Sequence, residues 1–324
     1  MSDEVSEPQQ PVPAVVVTQA EPIPVIVVAP PKKSLPARLW NFVRRIGLLR
    51  LVLFAVILMV AYAIPGALLH FQLPHIAQDI RGAVGLGIAA AGSLLTIALY
   101  ALLVGVLERR HVIDLRLKRG IPLLIGGTVL AVLLFGIIYA IYFGLHAATW
   151  SGYAGTKYVL AFVTLALISG VCEEVIFRGG IYRIMEDMFG SGVALAFSGV
   201  LFGVVHLGNP GATMFAAVAI AVEAGILLGA AYAATRSLWF PIGIHIGWNF
   251  AEGGIFGAPV SGFPGGHGLL NFPLHGPDWL TGGAFGPEAS VIPLVICTLA
   301  GIYFVRRTIK KGRWCRIGFR MMLD

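Results

Sequence analysis

An ionisable side chain in an apolar helix is costly to keep, so it marks a candidate for function. This sequence has few such residues. Glu173, Glu174 and Arg178 lie in one apolar stretch, His206 in the next and Glu223 in a third, while a fourth carries His245, Asn249 and Glu252. A carboxylate left unpaired in such a stretch can serve as a general base.

The spacing sorts them further. In Val171-Cys172-Glu173-Glu174-Val175-Ile176-Phe177-Arg178, residues four apart share a helix face, so Glu174 and Arg178 can pair. Glu173 lies about 100° around the helix from Glu174 and is left free for chemistry. Phe202 and His206 are four apart, as are His245 and Asn249, so each pair shares a face. Gly190-Ser191-Gly192 reads as a turn between two antiparallel helices. Glu173 and His206 are nearly equidistant from it along the chain, which puts them at one depth if the second helix is short or tilted. Each residue also has a plainer reading. The Glu174–Arg178 pair can be a structural staple, and a lone histidine or Asn249 can simply bond a neighbouring helix. Glu223 and Glu252 read as structural or pore-facing, Glu252 sharing the face of His245. Cys172 is expected to be an inert buried thiol.

Elements that position such residues must lie in lipid. Of the 324 residues, 57% are hydrophobic and 12% charged, against about 25% charged in soluble domains. Apolar runs of about 20 residues, enough to cross roughly 30 Å of hydrocarbon, are expected at about 51–70, 83–107, 121–146, from 158, 192–208, 212–234, 238–256 and 289–305. The fold class is therefore an all-α polytopic membrane bundle of about eight transmembrane helices. Residues 1–36, with eight of the 19 prolines, read as a disordered proline-rich tail. The transmembrane domain covers 37–305, its core about 158–255, and 306–324 form a basic tail. The Gly- and Pro-rich loop 257–288 is expected to be irregular, and Asn209-Pro210-Gly211 to break a helix.

The net charge of +7 comes from clusters beside the apolar runs: Lys32 to Arg50, Arg109 to Arg119, and Arg306 to Arg320. That pattern fits topology signals and anionic lipid headgroups, not nucleic acid. It puts both termini in the cytoplasm, and the cell (inner) membrane is the expected location. Cys172, Cys297 and Cys315 give no disulfide framework and no metal-type spacing.

Glu-Glu-x-x-x-Arg (Glu173, Glu174, Arg178), Phe-x-x-x-His (Phe202, His206) and His-x-x-x-Asn (His245, Asn249), in that order on successive apolar helices, resemble the CPBP intramembrane protease family. That family includes CAAX prenyl proteases and bacteriocin-processing or immunity (Abi) proteins. The resemblance implies eight helices around a cavity open to the cytosol. It further implies that Glu173 and His206 activate water, that His245 and Asn249 stabilise the oxyanion, and that Glu174, Arg178 and Phe202 support them. Glu173, His206 and His245 could hold one Zn²⁺, or could act as base and oxyanion donors with no metal. The implied substrate is a protein or peptide at the membrane: a lipidated C-terminus, a bacteriocin leader or a membrane-anchored protein. A non-catalytic immunity or binding protein on the same scaffold, and a transporter, are the competing readings.

Overall fold

The computed structural model describes residues 47–266 and 268–316. The proline-rich segment 1–36 and the end of the basic tail, 317–324, lie outside the described residues. The described chain is almost wholly helical. Helix α1 (Gly47–Ala67) ends in a π-helical turn, Leu68–Gln72, and α2 (Gln78–Leu103) in another, Val104–Glu108. After α3 (Leu117–Gly144), α4 (Val159–Glu174) runs through the π-helical segment Val175–Tyr182 into α5 (Arg183–Val205). Then come α6 (Met214–Ile220), the π segment Ala221–Ile226 and α7 (Leu227–Thr235). They are followed by α8 (Trp239–Asn249) with its π extension Phe250–Ile255, and by α9 (Val291–Lys310). A two-residue antiparallel ladder joins Gly152–Tyr153 to Leu270–Asn271.

Among the described residues, six helices are long and apolar enough to cross a membrane: Gly47–His75, Gln78–Glu108, Leu117–Gly144, Val159–Gly208, Met214–Thr235 and Val291–Lys310. Apolar side chains such as Val52, Val56, Leu133, Ile137, Val200 and Leu299 face outward, as lipid permits and water does not. The protein is an integral membrane protein. The expectation of about eight spans exceeds the six that length and composition support. It counts separately the two limbs of Val159–Gly208 and the segment 239–255, which is too short to qualify. A straight helix of 50 residues would reach about 75 Å, more than twice the hydrocarbon thickness. It does not run straight, because Gly190 adopts φ 81°, ψ 169°, a left-handed-side conformation open to glycine. The second limb folds back on the first: Ser198 Oγ donates to the Phe177 carbonyl at 3.3 Å, and the rings of Phe177 and Phe202 meet edge to face at 4.8 Å. This limb is short, as the depth argument requires. It ends at Val205, and a 3-10 turn, His206–Gly208, follows. Helix α9 continues past the expected boundary at 305 because Arg306, Arg307 and Lys310 extend it beyond the apolar core.

The basic segments gather at one end of the bundle. Glu108 takes Arg183 at 2.8 Å, Arg110 at 2.7 Å and Arg50 at 3.6 Å. Arg236 pairs with Glu186 and donates to the Arg313 carbonyl. Burial pulls the pKa of Arg236 down, but the hydrogen bond and charge of Glu186 outweigh that and hold it above the ordinary arginine value. Ser191 and Cys315 exchange hydrogen bonds at 2.9 Å, so residues 313–316 strap the Gly190 turn.

Close packing of α3 on α8 fixes the helix that carries His245 and Asn249. Thr128 Oγ1 donates across the contact to the Gly243 carbonyl at 3.1 Å. A Cβ on Gly247 would lie 2.6 Å from the Thr128 carbonyl oxygen, too close for any side chain, so small residues set this interface. Gly247→Val is expected to destabilise the protein by about 1–3 kcal/mol, the usual cost of overpacking, seen as a lower melting temperature in detergent. An unchanged melting temperature would show that α3 and α8 can separate freely.

Candidate active site

The π segments are what bring the polar residues together. A π-helical turn widens the helix and frees carbonyls from the regular ladder, and such turns concentrate at functional sites. Glu173 and Glu174 sit at the end of α4, directly before Val175–Tyr182. Asn249 ends α8, directly before Phe250–Ile255. Arg178, within Val175–Tyr182, reaches another π segment, Ala221–Ile226, and donates to the carbonyls of Ala224 at 2.5 Å and Gly225 at 3.1 Å.

Arg178 and Glu174 are fully buried and bonded at 2.7 Å. This is the four-apart pair read from the sequence, with more attached to it. The same Glu174 oxygen faces His245 Nδ1 at 2.9 Å, and the guanidinium lies 4.8 Å from the centre of the Phe202 ring. Phe202 also lies against His206, with ring centres 4.7 Å apart, and 6.1 Å from His245. Glu174 therefore orients a histidine as well as anchoring an arginine.

Glu173 points elsewhere. Tyr62 of α1 donates its hydroxyl to Glu173 Oε1 at 3.0 Å. Oε2 receives no hydrogen bond among the described residues and lies 4.0 Å from His245 Nε2. His206 Nδ1 contacts the Phe202 carbonyl at 2.7 Å. That contact assigns a proton to Nδ1 and leaves Nε2 as a free acceptor. Asn249 Nδ2 donates to Ser169 Oγ at 2.9 Å, and Ser169 is turned by its own bond to the Leu165 carbonyl. Glu173, His206, His245, Asn249, Tyr62, Ser169 and Ser261 all line one cavity of about 250 Å³. Glu173 and His206 share this space without a direct hydrogen bond.

Val260, Ser261 and Phe263, from the segment 257–288, complete the cavity lining. Ser261, at φ 48°, donates from its backbone N–H and its hydroxyl to Glu288 at 2.9 and 2.6 Å. Its carbonyl accepts from Asn209. Trp248 Nε1 donates to the other Glu288 oxygen at 3.0 Å, tying this loop to α8. Glu223 is buried and lines an adjoining recess with His206, His245 and Glu288, and Glu252 is fully buried. Cys172 turns away toward α2, where its sulfur meets Thr96 Oγ1 at 3.4 Å.

Of the residues singled out in the sequence, the fold brings Glu173, His206, His245 and Asn249 to one cavity, with Glu174, Arg178 and Phe202 directly behind. Tyr62, Ser169, Ser261 and Glu288 were missed. Ser169 could have been found, since it lies four residues before Glu173 on the same face. Nothing in the spacing of Tyr62 or Glu288 ties either residue to the motifs. Among the described residues, no three His, Cys, Asp or Glu side chains group closely enough to hold a metal ion.

Residues 155–251 match the family model for Rce1-like proteins, described as Type II CAAX prenyl endopeptidase Rce1-like. The matched segment runs from just before α4 to just past Asn249 and holds all three motifs, in agreement with the resemblance read from them. No curated protein and no solved structure matches the chain at a significant level. Tyr62 and Glu288 lie outside the matched segment.

Proposed function

We propose that this protein is an intramembrane endopeptidase of the CAAX type, hydrolysing a peptide bond near the C-terminus of a lipid-anchored protein or peptide. The observation that carries the reading is the convergence of Glu173, His206, His245 and Asn249, from three helices, on one cavity, with Glu173 Oε2 free of protein donors. The family match supports the reaction class.

In this reading a water molecule sits between Glu173 Oε2 and His206 Nε2. Glu173 takes its proton as the water oxygen attacks the scissile carbonyl carbon. The carbonyl oxygen becomes an oxyanion facing Asn249 Nδ2, whose second hydrogen is not used by Ser169, and His245. As an imidazolium, His245 donates Nδ1–H to Glu174 and keeps Nε2–H for the oxyanion. Preorganised donors of this kind are worth about 10²–10³ in rate each. When the C–N bond breaks, the proton held by Glu173 passes to the leaving nitrogen, giving an acid and an amine. No step is routed through a metal. The basic end of the bundle would face the cytosol, since positive charge is retained there, and both termini with it. With the two limbs of Val159–Gly208 and the segment 239–255 each counted as crossing, the spans would number eight.

The test is cleavage of a peptide ending in a prenylated cysteine and three further residues, by purified protein in proteoliposomes, with and without a chelator. Release of the terminal fragment in both conditions is the expected result. No cleavage of prenylated, bacteriocin-leader or membrane-anchored peptides would overturn the reading in favour of a binding role on the same scaffold.

A further inference from the structure

The phenol of Tyr62 occupies a place no motif accounts for. Its hydroxyl is 3.0 Å from Glu173 Oε1, its side chain lines the cavity that holds Glu173, His206, His245 and Asn249, and it comes from α1, 111 residues away in sequence.

The packing shows why it can reach. Phe54, Leu58 and Tyr62 are spaced by four and lie on one face of α1, with Phe54 and Leu58 fully buried. A Cβ on Gly180 would sit 3.7 Å from Phe54 and 3.8 Å from Leu58, and one on Gly47 would meet Met188. As numbering rises along α1 from 47 through 54 and 58 to 62, its neighbours fall from 188 through 180 to 173. Helix α1 therefore runs antiparallel along the acidic helix in one register, and that register delivers Tyr62 to Glu173. Arg183 against the Phe54 ring, 5.4 Å away, holds the same interface nearer the basic end.

We propose that Tyr62 is a positioning residue for the general base: its hydroxyl fixes the Glu173 carboxylate by one oxygen so that the other is presented to water. The inference rests on the endopeptidase reading and deepens it. A carboxylate with two free oxygens can rotate about its last bond. One that accepts a phenol O–H on Oε1 has a single oxygen left for the proton it must take, and a charge-assisted bond of this kind is among the stronger ones. Met59 and Phe263, which line the same cavity, are apolar and offer no substitute donor.

The experiment compares Tyr62→Phe with the unmodified protein, since the ring and its packing survive and only the hydroxyl goes. Turnover (kcat) is expected to fall roughly ten- to hundred-fold, with KM within about two-fold and the melting temperature unchanged. A residue that merely packs would move none of these. A second readout needs no activity. The Glu173 carboxyl band in the difference infrared spectrum, assigned by its loss in Glu173→Gln, is expected to move in Tyr62→Phe. An active preparation with unchanged kcat, or a band that stays in place, overturns the proposal. If the unmodified protein cleaves nothing, the endopeptidase reading fails by itself and the infrared band alone decides the role of Tyr62.

Discussion

Glu173→Gln is expected to lower turnover by about 10²–10⁴-fold, the range that a positioned general base contributes, while the protein stays folded and monodisperse in detergent. The amide matches the carboxylate in shape and can still accept the Tyr62 hydroxyl on Oε1, so the packing around α4 is kept. It cannot take a proton from water, and Oε2, the atom without a protein donor, becomes an NH₂. Single-turnover cleavage measured beside a melting curve separates the two effects. Retained turnover would falsify the assignment of Glu173 as base, whatever the fate of the other residues. A large loss of turnover with an equal loss of stability would shift Glu173 to a structural role.

Arg178→Ala is expected to give the largest stability loss of any single change at the site, about 3–5 kcal/mol, because removing one partner of a buried ion pair strands the other. Four contacts go together: the 2.7 Å bond to Glu174, the carbonyls of Ala224 and Gly225, and the face of Phe202. Glu174 would keep only His245, and the Ala224 and Gly225 carbonyls would lose the guanidinium. This variant is expected to aggregate on extraction. Arg178→Lys provides the graded test. A lysine carries the charge on one atom and cannot serve Glu174 and both carbonyls as the guanidinium fork does. It is therefore expected to fold with a melting temperature between those of the other two proteins. If Arg178→Ala melts like the unmodified protein, the pair is not what holds α4 against the Ala221–Ile226 segment.

Much of this site was legible in the sequence because helical spacing is a local property. The four-residue intervals Glu174–Arg178, Phe202–His206 and His245–Asn249 predict shared faces, and all three hold in the fold. The break at Asn209-Pro210-Gly211 and the turn at Gly190 were legible as well, since both rest on residues with special backbone freedom: Gly211 has φ 69° and Gly190 φ 81°. What spacing could not decide was which partner each side chain finds on another helix. His245 Nδ1 pairs with Glu174, the residue read as the staple, and Nε2 lies 4.0 Å from Glu173. The two glutamates are neighbours in sequence, and only the angle at which α8 crosses α4 distinguishes them.

Residue types and their intervals were enough to determine an integral membrane bundle with a small set of costly polar groups and an order of motifs shared with a protease family, because lipid penalises every such group and helix geometry repeats every 3.6 residues. The tertiary structure alone decided that Tyr62 caps Glu173 and that Glu288 ties the loop 257–288 to Trp248. Those outcomes depend on register between segments far apart in the chain. Packing of whole helix faces sets that register, and no local pattern encodes it.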